Sequence, residues 1–336
     1  MEENKKGRPK KTLTREEITE AISKTRYFYQ AAELLGVSYP TFLREKERLG
    51  IKTKFMNNTT LNKKLELVDY GCLEEFMDTM EETDRYCVRT IGYDDVYISI
   101  EERCIIMPWG DWHIGNIHTQ HSKLASDLEM IKNYSNVYVV LIGDYADNFN
   151  RSSRGSGVYE QVITVPEQKQ RVEYMVKTLK EKILGICLGC HDKWMFENDA
   201  FDFAQYLAKK CNGSWLGFNG LLHVKVGDVN YDIYATHKCE RWSRDNPSHG
   251  LKDIYRTKAK FDVGFAAHRH VPSIEYYWIG DKWIVTIRTG SYKMTDYFLD
   301  HKNLPKYGSY LPCVILDDKE KEILAFPDLK EAVKYL

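Results

Sequence analysis

Ile18, Ala21 and Ile22 recur at the spacing of one helix face, and Phe28, Ala31, Ala32 and Leu35 repeat that spacing a few residues later. Thr14, with Glu17 three positions on, fits a capping box for the first helix, and Gly36 is placed to end the second. Ser38 as N-cap and Pro40 in the first turn predict a third helix to about Leu49, closed by Gly50. From about residue 100 the pattern changes. Short apolar runs at 104–107, 137–142, 183–188, 231–235 and 263–267 alternate with helical stretches such as 167–183, and each run ends in a polar cluster. That alternation is α/β. Between the two patterns, Leu61, Leu65, Val68 and the stretch 73–80 have helical spacing broken by polar segments. The expected division is a basic arm at 1–12, a small all-α domain at 13–55, a linker with helices at 56–100 and the α/β domain at 101–336.

Composition narrows the class. A chain of 336 residues, 43% apolar and 29% charged, can bury a large core, which excludes collagen-like, disordered and mini-protein classes. No apolar run approaches the roughly 20 residues that span a bilayer, and charges open the N-terminus where a signal peptide needs an apolar stretch. Eight cysteines in such a chain read as reduced thiols, so the expectation is a cytoplasmic protein without membrane contact. The net charge of -1 hides an asymmetry: residues 1–60 hold 13 Lys and Arg against 8 Asp and Glu. Five of those cations lie in the first eleven residues, around Gly7-Arg8-Pro9.

Three short helices with a glycine turn before the last form a helix-turn-helix pattern. The run 31–38, with Thr41-Phe42-Leu43-Arg44 and Arg48-Leu49-Gly50-Ile51, resembles the trihelical DNA-binding domains of the Fis and resolvase type. The resemblance implies Phe42 and Leu49 in the core. It turns Tyr39, Thr41, Arg44, Glu45 and Arg48 toward the major groove or phosphates. Gly7-Arg8-Pro9 with flanking lysines such as Lys10 is similar to an AT-hook core or an invertase minor-groove arm, with Lys6 where an AT-hook has arginine. DNA is the expected partner; a helical bundle with a solvated tail, serving protein contacts, is the alternative.

The polar clusters after the apolar runs carry metal chemistry. They read Asp111-Trp112-His113, Asp144-Tyr145-Ala146-Asp147, Cys190-His191-Asp192, His237, and His268-Arg269-His270. Carboxylates and imidazoles converging from several strand ends suit a pair of divalent ions, with Asp144 as the shared ligand. Residues two apart in extended backbone point to the same side, so Asp111 and His113 are expected to reach one ion, and His268 and His270 likewise.

In this order the clusters resemble the signature of calcineurin-like metallophosphoesterases, whose fold is a four-layer αββα sandwich. The resemblance implies Asp111, His113, Asp144 and His270 at a first metal, with Asp144, Cys190, His237 and His268 at a second. It implies His191 beside the phosphate as transition-state stabiliser or acid, Asp147 as a further catalytic residue, and hydrolysis by a hydroxide held between the ions. Gly290-Ser291 resembles the family's closing turn. Two departures stand out: Cys190 replaces a metal-binding asparagine, and Ala267 replaces a glycine. Manganese is the expected metal, with zinc or iron favoured if Cys190 binds as thiolate. A redox reading of Cys187 and Cys190 lacks a second pair. His118 and His121 are candidate cleft residues and Arg151, Arg154 and Lys193 candidate phosphate contacts, while His223, His249 and His301 have no motif around them.

Asp147 is followed by Asn148-Phe149 and not by the Arg-Gly of the superfamily's protein phosphatases. The leading expectation is a DNA-directed phosphodiesterase, a nuclease, because a DNA-binding appendage would hold a polyanion near a generic hydrolytic centre. The alternatives are a phosphatase or cyclic-nucleotide phosphodiesterase localised by its N-terminal domain, and a non-catalytic DNA-binding regulator. The combination resembles phage-encoded proteins, which would place it in a host cytoplasm.

Overall fold

The computed structural model describes residues 13–24, 28–51, 95–150, 153, 157–199, 201–211, 213–241, 243, 245–295, 300–301 and 308–336. Arg8 and Lys10 of the basic arm, nearly all of the expected linker, Arg151 and Arg154 lie outside the described residues. The chain divides into two compact units, 1–73 and 74–336.

In the first unit, α1 (Arg15–Lys24), α2 (Phe28–Leu34) and α3 (Tyr39–Arg48) follow the expected order. The capping box is present: Glu17 donates its amide to Thr14 Oγ1 at 3.2 Å, and Thr14 donates its own to Glu17 Oε2 at 2.8 Å. Ser38 caps α3 by accepting from the Thr41 amide. Leu13, Ile18, Ala21, Ala31, Ala32, Phe42 and Ile51 form a separate core, with Leu49 packed against it.

The second unit holds two six-stranded sheets. One runs β12-β11-β2-β3-β4-β5 from β2 (Cys104–Trp109), β3 (Val137–Leu141), β4 (Ile183–Cys187), β5 (Ser214–Gly217), β11 (Cys313–Leu316) and β12 (Ile323–Phe326). Its β2, β3, β4 and β5 are parallel neighbours. The other runs β1-β6-β7-β8-β10-β9 from β1 (Val96–Ile100), β6 (Asn219–Val226), β7 (Val229–Thr236), β8 (Val263–Ala266), β9 (Ser273–Ile279) and β10 (Lys282–Arg288). β7 pairs parallel with β8, and β8 with β10.

Strand alternation explains the layers. On β2, Cys104 and Ile106 enter a core shared by both sheets, alongside Val140, Ile142, Val263, Phe265, Val285 and Ile287. Ile105 and Met107 face the other way, where they join Val172, Val176, Phe203 and Leu207 from α5 (Val165–Thr178) and α7 (Phe203–Cys211). Both faces are therefore buried, which is why these strands are continuously apolar. α4 (His121–Asn133) joins that helical layer through Leu124 and Ile131. α8 (His249–Thr257) covers the outer face of the second sheet through Leu251 and Tyr255, which pack with Tyr234, Phe261 and Ile284. The order is helix, sheet, sheet, helix, as the four-layer expectation required. Among the described residues, no helix is long and apolar enough to cross a membrane.

Candidate metal centre

All five polar clusters follow strand ends, but the ends belong to both sheets: β2, β3 and β4 to one, β7 and β8 to the other. The centre lies where the two sheets' loops meet.

Extended backbone does not bring the residues together. Asp111, His113, Asp144, His268 and His270 all have positive φ, between 46° and 72°, as does Asn148. A non-glycine residue in that region costs of order 1–2 kcal/mol, so so dense a cluster is strain held by the surrounding fold. The outcome also differs from the extended-strand expectation. Asp111, His113 and His270 gather in one group, and His268 joins Cys190 and His237 in another. Asp111 and His113 thus share a group as expected, whereas His268 and His270 separate.

Within each group the ligand atoms lie within 4.8 Å of one another. Asp144 connects them: its Oδ2 is 3.2 Å from His237 Nε2 and 4.0 Å from His113 Nε2. His113 Nε2 is 3.1 Å from His270 Nε2, and Asp111 Oδ1 is 3.9 Å from His270 Nε2 and 4.0 Å from His237 Nδ1. Burial is nearly complete for Asp111, His113, Asp144 and His237, whereas Cys190 is half-buried.

The donor atoms fit a divalent cation. Asp111 Oδ1 and His237 Nε2 are buried with no hydrogen-bond partner, which is costly unless something else satisfies them, and His113 turns Nε2 toward the group while Nδ1 faces Asp147. His237 donates Nδ1–H to the Ile142 carbonyl at 2.8 Å, which fixes the ring with Nε2 facing Asp144 and reserves that nitrogen for a proton or a metal. The remaining carboxylate oxygens are held by backbone: Asp111 Oδ2 accepts from the His268 amide at 2.9 Å and Asp144 Oδ1 from the His191 amide at 2.7 Å.

The electrostatics are those of a site competing for a cation. Burial, and then the Asp144 charge, push Asp111 up to about 6. For Asp144 burial acts upward but is outweighed by His237 and His191, which hold it well below the usual carboxylate range. His237 is raised well above its ordinary value despite burial, because Asp144 adjoins it. A proton therefore occupies the position a metal would take, and metal binding should release it. Burial lowers His191 to about 4 and His268 to about 3, and it takes His270 well below the ordinary range, so these three are neutral imidazoles at pH 7.

Three supporting residues were not assigned from sequence. Asp192 Oδ2 accepts from the amides of Asp144 at 2.7 Å and Gly189 at 3.1 Å, tying the second and third clusters together. A Cβ on Gly189 would collide with the Asp144 backbone, and one on Gly143 with Gly189. The glycines before Asp144 and Cys190 were the available signal. Asn116 donates to Asp147 Oδ2 at 2.9 Å, and the buried Lys293 brings Nζ to 3.5 Å from Asp147 Oδ1. Asp147 itself is fully buried behind His113, with Oδ1 3.3 Å from His113 Nδ1, so its place is to orient that ring. Ser291 Oγ and the Tyr292 amide both donate to the Asp111 carbonyl, which puts the expected closing turn against the first cluster.

Other candidates fall outside the centre. Lys193 pairs with Glu197 at 2.6 Å. His121 Nε2 accepts from the Gly115 amide, and His118 is exposed. His249 is half-buried at the start of α8, and His301 is exposed. Cys187 is buried and Cys190 half-buried, both as free thiols. In the first unit, Arg44 is exposed, Thr41 Oγ1 engages Ser38 Oγ at 2.8 Å, and Arg48 bonds Glu45 and the Leu13 carbonyl. Nothing is described of the Tyr39 side chain.

No family model matches the chain. No curated protein matches it either. Among solved structures it is similar to a conserved protein of Streptococcus pneumoniae described as a phosphoesterase, at 13% identity and a TM-score of 0.30 over 67% of this chain and 97% of that one. It is similar to Vps29 of Chaetomium thermophilum at 11% identity and a TM-score of 0.34, over 66% of this chain and 96% of that one. A metallophosphoesterase of Sphaerobacter thermophilus aligns at 12% identity and a TM-score of 0.33, over 66% of this chain and 87% of that one.

Proposed function

We propose that the chain is a metal-dependent phosphoesterase with two divalent-ion sites, acting on phosphodiesters and directed to DNA as a nuclease. The observation that carries the first part is the convergence of Asp111, His113, Asp144, Cys190, His237, His268 and His270 from five strand ends, with buried donor atoms that no protein group satisfies. Divalent ions held there would supply Lewis acidity toward a phosphoryl group and lower the pKa of a bound water. Manganese suits the carboxylate-rich group around Asp111. The group with Cys190, His237 and His268 has softer donors and suits zinc or iron.

The chain's own residues do the rest. His191 places Nδ1 2.6 Å from the Asp147 carbonyl and donates a proton there, so its Nε2 carries the lone pair. Neutral at pH 7, that nitrogen takes up a proton from solvent water once a phosphate's negative charge approaches, and it passes the proton to the departing oxygen. Asp147, Asn116 and Lys293 fix the back of His113, and Asp192 fixes Asp144.

DNA is proposed from the first unit: three helices with an exposed Arg44 and the basic sequence ahead of them. Arg48, tied to Glu45 and Leu13, is the weaker contact of the pair. The decisive experiment combines metal analysis with hydrolysis of a bis-aryl phosphodiester, a phosphomonoester, and single- and double-stranded DNA. The expected result is two divalent ions per chain and preference for diesters. Preference for the monoester would overturn the nuclease reading, and no turnover in metal-loaded protein would overturn the enzyme.

A further inference from the structure

We infer that the aromatic rim beside His191 is a subsite for a nucleobase next to the phosphate under attack, an inference that rests on the phosphodiesterase reading for its substrate. Trp194, one helical turn beyond His191 in α6 (Cys190–Asp199), lies over that ring at 4.2 Å between centroids and 36° between planes. Phe149 meets both, edge-on to His191 at 5.1 Å and tilted to Trp194 at 5.0 Å. Both rings are half-buried, so each keeps a solvent-facing part.

The wall continues outward. Gly157 packs on the Phe149 ring so closely that a Cβ there would lie 2.5 Å from Cζ. The segment after it is pinned to the loop of the first cluster by Ile117 N–H to the Glu160 carbonyl and Val162 N–H to the Gly115 carbonyl, each 2.8 Å. Along this segment and loop the side chains are apolar and open: Tyr159 is 89% exposed, Ile117 59% and Val162 57%. An aromatic and aliphatic ledge thus begins at the imidazole assigned to the phosphate and runs outward from it.

Position determines the occupant. Whatever rests on this ledge while a phosphate sits at His191 must be joined to that phosphate by a few bonds; Tyr159 offers an open π-face to a planar group, and Phe149, under Lys293 at 5.6 Å, backs the half-buried Trp194. A nucleobase meets both conditions, and stacking on aromatic side chains is sequence-tolerant because every base has a π-face. Among the described residues, two polar side chains beside the rings are already engaged. Gln161 exchanges both amide contacts with the Phe149 backbone at 3.1 and 2.8 Å, and Asn148 Nδ2 donates to the His191 carbonyl at 2.7 Å. Stacking does not read base edges, so the subsite accepts all four bases.

The test is equilibrium binding of full-length protein to a single-stranded oligothymidylate and to an equally long abasic oligomer, followed by fluorescence anisotropy. Both carry the same phosphates, so their affinity ratio removes electrostatic binding, including any by the N-terminal unit. The base-bearing strand should bind about ten-fold or more tightly, the size of one stacked base. Tyr159→Ala and Trp194→Leu should bring the ratio toward one, and Trp194→Phe should keep most of it. Equal affinity for the two oligomers, or a ratio unchanged in both Tyr159→Ala and Trp194→Leu, overturns the subsite. Tyr159 is exposed enough that its removal leaves the fold intact. Base-dependent binding without hydrolysis under any divalent ion would overturn the enzyme and sustain the subsite. Hydrolysis without base dependence would do the reverse.

Discussion

Two clusters of histidine and aspartate on the same sheet pair behave in opposite ways. His223 and Asp232 face each other across β6 and β7 in regular register, with Nδ1 2.6 Å from Oδ1, Asp95 3.7 Å from Nε2 and Tyr97 stacked at 4.7 Å. Asp232 raises His223 above its ordinary value, so the pair is a proton-bridged ion pair at the surface. In the centre the same residue types crowd together without satisfying every atom. His237 Nε2 is 3.2 Å from Asp144 Oδ2, yet Asp111 Oδ1 is buried with no hydrogen-bond partner, much of the backbone is left-handed, and His191, His268 and His270 are held neutral. Groups aimed at each other satisfy themselves. Groups aimed at a common point need a cation.

The largest break in that contrast should come from the glycines. Gly189→Ala pushes a methyl into the Asp144 backbone and should cost roughly 3 kcal/mol, with loss of bound metal. A fold-stability measurement and metal analysis check both, and an unchanged melting temperature would mean the loops are not locked together as described. Asp144→Asn comes next. It should keep the fold and lose both ions, because a neutral amide replaces the shared carboxylate, whereas His191→Ala should retain them and lose turnover. Two ions per chain in the Asp144 variant would remove it from the bridge.

Much of this centre could be read from sequence because short polar clusters after apolar runs survive as local strings. The five strand ends, the three helices of the first unit and the nearness of Asp144 to both groups were visible in that way. What was not visible is long-range. Asp147 lies next to Asp144 in the same string, but only the fold puts it behind His113, with Lys293 arriving from 146 residues away. The extended-strand argument did not carry over to His268 and His270, because sequence spacing carries no φ: they fall in different groups, while Asp111 and His113, equally spaced and also left-handed, share one. In the sequence Phe149 marks only a departure from Arg-Gly and Trp194 is part of no motif; the structure places both against His191.

Smaller effects sharpen the contrast. Cys190→Asn should leave metal at the Asp111 group unchanged and shift activity with manganese upward relative to zinc, read as a ratio of rates. Identical ratios would take the thiol out of the coordination sphere. The smallest concerns the surface pair. His223 has a raised pKa and Asp232 a lowered one, so their mutual stabilisation holds between those two values. It is lost as pH rises through the raised histidine value, and lost again as pH falls through the lowered carboxylate value. His223→Gln should therefore cost about 0.5 kcal/mol near pH 6 and nothing by about pH 9, seen as a difference in melting temperature that closes on alkalinisation. A constant difference across that range would mean the pair contributes packing and not charge.

The division of the cation donors between two sheets has a mechanical consequence. Ile106 and Val140 of one sheet meet Val263 and Val285 of the other in a shared core, and that contact sets the spacing between the two halves of the centre. Ions bound there act as rivets between layers, so the free energy of binding each ion adds to the cohesion of the whole sandwich. A chelator should then do more than silence the protein: it should lower the melting temperature of residues 95–336 and loosen amide-exchange protection first at the loops that follow β2, β3, β7 and β8. Trimming Val263 to alanine, in that shared core, should weaken metal retention by letting the two layers drift apart.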